Sequence, residues 1–127
     1  QKTHDELKKE TKRALVAMEN KEIVGVTIYQ RHKKYSEALE IKNLTVRPDK
    51  RGRYIASFLL RNSEIEGAAE FKSQYILCDA KIKNFPIRWF LEKNKYQIVD
   101  KRDLYNKGSG EDLVYKKDFS KYFKANV

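Results

Sequence analysis

Apolar positions along the chain fall into short blocks with two different periods. Leu15, Val16, Ala17 and Met18 form a compact apolar run, and Asn20-Lys21 behind it reads as a turn. Ile23-Val24-Gly25-Val26-Thr27-Ile28-Tyr29 is β-branched and aromatic, and too short for a typical buried helix, so it predicts a strand. The charged stretch Arg31-His32-Lys33-Lys34 leads to a third strand, Ala38 to Val46. Three strands on short links predict an antiparallel meander. Pro48 ends the third strand. From Tyr54 the spacing becomes helical, with Ile55, Phe58, Leu59, Ile65 and Ala69 expected on one apolar face. Gln74 to Ala80 is another strand, so a strand–helix–strand unit with two parallel neighbours is expected. Asn84-Phe85-Pro86 opens a short helix through Lys93, because proline is tolerated in a first turn. Tyr96 to Leu104 and Leu113 to Lys116 read as two last strands, joined through Asn106-Lys107-Gly108-Ser109-Gly110, a flexible loop. Upstream, Thr3-His4-Asp5-Glu6 has the spacing of a capping box and predicts a charged helix to about Arg13. The pattern as a whole is that of a mixed α/β (α+β) chain.

Composition narrows the classes. The 127 residues fit one domain, 1–127, and neither an internal repeat nor a linker interrupts them. Lys and Arg number 28 against 18 Asp and Glu, a net charge of +10. Such a balance suits nucleic acid, an acidic partner or a polyanionic cofactor, and does not choose among them. Basic and acidic residues alternate along the chain, which favours a solvated charged surface over a nucleic-acid stripe. No apolar run approaches the roughly 18 residues of a membrane helix, so no membrane partner is expected. The one cysteine, Cys78, cannot close an intrachain disulfide, which favours a reducing, cytoplasmic setting. Two separated histidines and one cysteine leave no zinc cluster, so no metal is expected.

The stretch from Leu44 to Leu60 carries the most chemistry. It is a strand, a basic glycine-containing turn and a helix start. Free backbone amides and the positive end of the helix dipole converge there, and Lys50, Arg51 and Arg53 add full charges. That combination suits a phosphate group, although a solvated basic turn has the same sequence.

This stretch resembles the superfamily of acyl-CoA-dependent N-acetyltransferases usually called GNAT. Their phosphate loop reads Gln/Arg-x-x-Gly-x-Gly/Ala. Arg51 and Ala56 fit its ends, and Tyr54 stands where glycine is usual. Leu44-Thr45-Val46-Arg47-Pro48 matches the family's lead-in, and Ile55 to Leu60 its helix start. Downstream, Asn84, Ile87, Phe90, Glu92, Lys93 and Tyr96 resemble the second family motif. The resemblance covers about residues 3–117. It implies a mostly antiparallel central sheet flanked by helices, with a parallel strand pair splayed at the cofactor. It also implies acetyl-CoA as co-substrate and an amine as acceptor. By position, the main chain of Val46 would pair with the pantetheine arm. The amides of Arg51, Gly52, Arg53, Tyr54, Ile55 and Ala56 would hold the pyrophosphate, with Ser57 near it. Asn84 would lie beside the arm on the opposite wall.

Acetyl transfer needs a proton acceptor for the amine. Glu40, six residues before Val46, sits where some relatives place that base, and it is the candidate here. A strand carboxylate paired with a neighbouring lysine is the plain alternative. Leu91 occupies the position where many relatives carry a tyrosine acid, with Tyr96 and Tyr29 as conceivable substitutes. Two other functions therefore stay open: a non-catalytic CoA-binding or protein-interaction module of this fold, and a basic RNA- or tRNA-directed protein. Relatives also begin with a strand and helix that precede Thr3. The edge at Leu15 to Met18 is therefore expected to be covered by a partner subunit, as in a homodimer, or by a segment outside this sequence. Cys78 is expected to be a buried structural thiol and His4 and His32 exposed, and core packing explains Trp89 and Phe90 at least as well as substrate stacking.

Overall fold

The computed structural model describes residues 12–52, 54–102 and 111–119. The expected helix from Thr3, Arg53, the loop from Asn106 and the tail after Phe119 lie outside these residues. The chain runs β1 (Lys12–Glu19), β2 (Glu22–Arg31), β3 (Ala38–Val46), a 3-10 turn (Pro48–Lys50), α1 (Ile55–Phe71), β4 (Tyr75–Lys81), α2 (Phe85–Lys93), β5 (Gln97–Arg102) and β6 (Asp112–Asp118). Lys12 and Arg13, expected at the end of a helix, are already strand.

Six strands form one sheet in the order β1-β2-β3-β4-β6-β5. Every neighbouring pair is antiparallel except β3 with β4. The first turn is tight because Asn20 and Lys21 both take left-handed backbone, at φ 51° and 66°. Two such residues match the twist of the flanking strands. β1 is the outermost strand, and among the described residues its outer side pairs with nothing.

Both helices pack on the same face of the sheet. Leu60 and Phe71 from α1 and Leu91 from α2 meet Tyr29, Leu39, Ile41, Ile76 and Tyr115. A second cluster, Val24, Val46, Ile55 and Leu59, fastens the start of α1 to β2 and β3. On the opposite face, among the described residues, Ala38, Leu77 and Val114 form a small cluster with Tyr35 and Tyr75 against it.

The buried stripe of α1 differs from the expected one. Phe58 and Ile65 are half exposed, whereas Ser63, Glu64 and Gly67 are buried. The helix lies so close to β3 that a side chain at Gly67 would run into Leu39. Only small residues fit that contact, and a hydrophobicity pattern counts them as polar. Trp89, for which core packing is one expectation, is 67% exposed, while Phe90 is partly buried against the core.

Candidate active site

The parallel contact between β3 and β4 is short. Only Ala38/Tyr75, Leu39/Ile76 and Glu40/Leu77 pair. Beyond them β3 stays on β2 as far as Val46, and β4 stays on β6 as far as Lys81. A register slip between β2 and β3 helps to separate them. Ile28 faces Asn43 but Tyr29 faces Ile41, which leaves Lys42 as an extra residue. Such a bulge sharpens the local twist and turns the strand away from its neighbour. The sheet therefore opens at the C-terminal ends of β3 and β4.

The N-terminus of α1 follows β3 through the 3-10 turn. Its N-cap residue, Tyr54, gives no side-chain cap, and the Tyr54 ring is 82% exposed. The helical ladder starts with Phe58 N–H donating to the Tyr54 carbonyl at 2.9 Å. The amides of Ile55, Ala56 and Ser57 precede that bond and have no acceptor within the helix. Gly52 takes φ 83°, and nothing lies within 4 Å of where its Cβ would be. The backbone there is left-handed and open, as glycine permits.

The expected cations around this turn are only partly available. Lys50 Nζ is 2.6 Å from Glu19. Arg47 is held by Asp49 at 2.7 Å and Glu22 at 3.1 Å. Arg51 donates through Nε to the Val46 carbonyl at 3.3 Å, which ties the loop back to the strand and leaves its two terminal nitrogens exposed. Arg53 lies outside the described residues.

Glu40 belongs to the last pair before the strands part, on the face opposite the helices. It is half-buried, and Gln30 Nε2 donates to its Oε1 at 3.1 Å. The lysine pairing considered for it is not what the structure shows, since its partner is a neutral amide. Asp79 stands two residues beyond Leu77 on β4 and so shares that face. Burial, and next the charge of Glu40, push the Asp79 carboxyl above the ordinary range. Two carboxylates from two strands thus flank the start of the gap. Residue type alone leaves Asp79 either facing a substrate or pairing with a charge, and the register of β3 on β4 is what puts it on the face of Glu40.

Other candidates fall elsewhere. Asn84 caps α2, its Oδ1 accepting from Ile87 N–H at 3.3 Å. Leu91 is fully buried. Tyr96 donates to Glu64 at 2.7 Å, and burial among these groups raises its pKa well above the usual value. Tyr29 packs edge-on against Phe71 on the helix face, and burial pushes its phenol to about 12. Cys78 packs against the core, and burial pushes its thiol to about 12, which suits the expected structural role. His32 Nδ1 accepts the amides of Lys34 and Tyr35 at 3.1 and 3.2 Å, so it shapes the β2–β3 loop. One group the sequence gave no reason to single out is Tyr115. Its hydroxyl donates to Glu92 at 2.7 Å and accepts from Arg88 at 3.2 Å, which clamps α2 to β6. Among the described residues no three His, Cys, Asp or Glu side chains are placed to hold a metal ion, and no helix is long and apolar enough to cross a membrane.

The model of the acetyltransferase (GNAT) family matches residues 1–96. The chain belongs to the GNAT acetyltransferase family. No curated protein sequence matches it significantly. Solved structures of GNAT proteins share its architecture. One is a Bacillus anthracis protein assigned as a streptothricin acetyltransferase, in complex with acetyl coenzyme A. It is 18% identical with a TM-score of 0.77, over 86% of this chain and 63% of that one. This chain therefore spans less than two thirds of that relative's length. A GNAT family acetyltransferase from Elizabethkingia anophelis with acetyl-CoA bound is 17% identical, with a TM-score of 0.74 over 93% and 83% of the two chains. Arabidopsis thaliana Naa50, in complex with the bisubstrate analogue CoA-Ac-MVNAL, is 25% identical, with a TM-score of 0.70 over 84% and 72%.

Proposed function

We propose that this GNAT chain transfers an acetyl group from acetyl-CoA to an amine acceptor by direct attack. The observation that carries the reading is the uncapped start of α1 beside the splayed β3–β4 pair. The fit to a diphosphate is good at this end. The amides of Ile55, Ala56 and Ser57 have no acceptor within the helix, no side chain caps them, and Gly52 leaves the approach open. The exposed nitrogens of Arg51 add charge-assisted donors. In this reading the main chain of Val46 borders the gap and pairs with the pantetheine arm, and Asn84, at the head of α2, faces the arm from the opposite wall. Acetyl-CoA supplies an activated thioester carbonyl.

Within this reading the chain itself handles the proton. Glu40 takes it from the attacking amine, directly or through a water, and Gln30 orients the carboxylate through Oε1. Asp79, on the same face, is a second carboxylate within reach of the acceptor's charge. Cys78 stays out of the chemistry, since a thiol held at about 12 supplies little thiolate near neutrality. That supports transfer without an acyl-enzyme.

Calorimetric titration with acetyl-CoA, followed by a thiol-release assay over a panel of amines, tests the proposal. Saturable binding with amine-dependent thiol release supports it. Binding without release from any amine points to the CoA-binding module, a reading that the burial of Leu91 and the engagement of Tyr96 favour. No binding at all removes the proposal.

A further inference from the structure

A cavity of about 570 Å³ lies between β1 and the C-terminal half of α1, away from the splayed strands. Arg13, Leu15, Tyr29, Glu66, Ala69 and Glu70 line it. Glu66 is eleven residues beyond Ile55, about 16 Å along the helix axis from the uncapped amides.

Two of its polar groups make no hydrogen bond or ion pair with the described residues. Tyr29 is only 2% exposed, yet its hydroxyl makes no hydrogen bond among the described residues. Tyr29 shares the cavity lining with Glu66, Glu70 and Arg13. The ring is fixed from behind by the edge of Phe71, with centroids 6.3 Å apart. Glu66 is exposed and forms no ion pair among the described residues. Glu70 differs, because Arg13 holds it through Nε at 3.0 Å and through a terminal nitrogen at 2.7 Å. Arg31 stacks on the same Phe71 ring, its guanidinium carbon 5.4 Å from the centroid.

The chemistry of what is left selects the ligand. An ionised carboxylate only accepts hydrogen bonds, and a phenol oxygen accepts as well. Their shared complement is a positively charged donor. Leu15 and Ala69 offer apolar wall for an alkyl stem. We infer that this cavity binds an organic cation, a primary ammonium or a guanidinium group, between Glu66 and the Tyr29 hydroxyl. The chain as a whole carries +10 and repels cations, so binding depends on the local carboxylate.

Agmatine, which carries both groups, is the probe for a free amine. A blocked alanine-rich pentapeptide with one central arginine is the probe for the same group carried on a chain. Calorimetry with each is run on the parent, Glu66→Gln, Tyr29→Phe and Glu40→Gln. Glu66→Gln and Tyr29→Phe are each expected to weaken binding by about tenfold or more, the scale of a lost bond to a charge. Glu40→Gln is expected to leave that binding in place, which separates the cavity from the acceptor site. Tighter binding of the peptide assigns the cation to a polypeptide segment, and tighter binding of agmatine assigns it to a free amine. Equal affinity in the parent and in Glu66→Gln, with matching unfolding midpoints, overturns the inference. So does binding lost in Glu40→Gln alone.

Discussion

Glu40 on β3 and Leu77 on β4 form the last parallel pair before the two strands separate. Glu40 therefore stands at the mouth of the gap with its side chain on the open face. Replacing it with glutamine keeps the size and a hydrogen bond to Gln30. Under the proposed role, Glu40→Gln lowers kcat/KM by about 100-fold or more, within the usual range for a positioned base. The rising limb of the pH–rate profile moves to higher pH. An unchanged rate and profile would remove Glu40 from the role.

Asp79 gives a second pH-dependent outcome. Burial and Glu40 hold its carboxyl above the ordinary range in the folded state. The folded chain then binds more protons than the unfolded chain between the two values. Its contribution to stability is complete below the unfolded value and is lost as pH rises through the folded one. Asp79→Asn is expected to flatten the stability curve in that window, and Glu40→Gln to lower the Asp79 value in an NMR titration. A curve with the same slope in Asp79→Asn would count against this assignment.

Inside the core, Glu64 on α1 accepts from Lys117 Nζ at 3.1 and 3.2 Å and from Tyr96 at 2.7 Å. Glu64 is 1% exposed and Lys117 7%. Removing one charge strands the other in a poor solvent. Lys117→Met is expected to cost about 3–5 kcal/mol in urea unfolding. The double change Glu64→Leu with Lys117→Met is expected to recover most of that, because two apolar side chains need no compensation. A double variant as unstable as the single one would show that Tyr96 or Arg61, 3.6 Å from Glu64, carries the effect instead.

The seat of α1 rests on Gly25. A Cβ there would lie 2.8 Å from Leu59 Cδ1, 3.2 Å from Ile55 Cγ2 and 3.3 Å from the Thr45 carbonyl. Ile55 is the first residue of the helix, so Gly25→Ala pushes up the end that carries the free amides. A loss of about 1–3 kcal/mol is expected from overpacking. Acetyl-CoA affinity should fall with it, measured well below the melting temperature. Normal affinity in the destabilised variant would separate the helix seat from the binding end.

Much of the architecture was legible along the chain because strand and helix periods change at sharp signals. Ala38–Val46 appeared with its observed limits, since charged residues precede it and Pro48 follows. Its parallel relation to β4 followed from the helix between them. The face of α1 differs from the expected one because contact with Leu39 on β3 selects Gly67 for size and because Glu64 is buried through its bonds to Tyr96 and Lys117, and hydrophobicity registers neither. Nor does residue type settle whether Trp89 is exposed: on a nine-residue helix Leu91 alone is fully buried, so an aromatic ring need not face inward.

Element order, the basic turn before α1 and the family motifs can be read along the chain, because each rests on neighbouring residues. Which groups are left free to act is settled by folding. Folding spends Lys50 on Glu19, Tyr96 on Glu64 and Asn84 on its own helix, and it brings Asp79 to the same face as Glu40. Those outcomes depend on strand register and on the distance between segments remote in sequence. A list of residues contains neither.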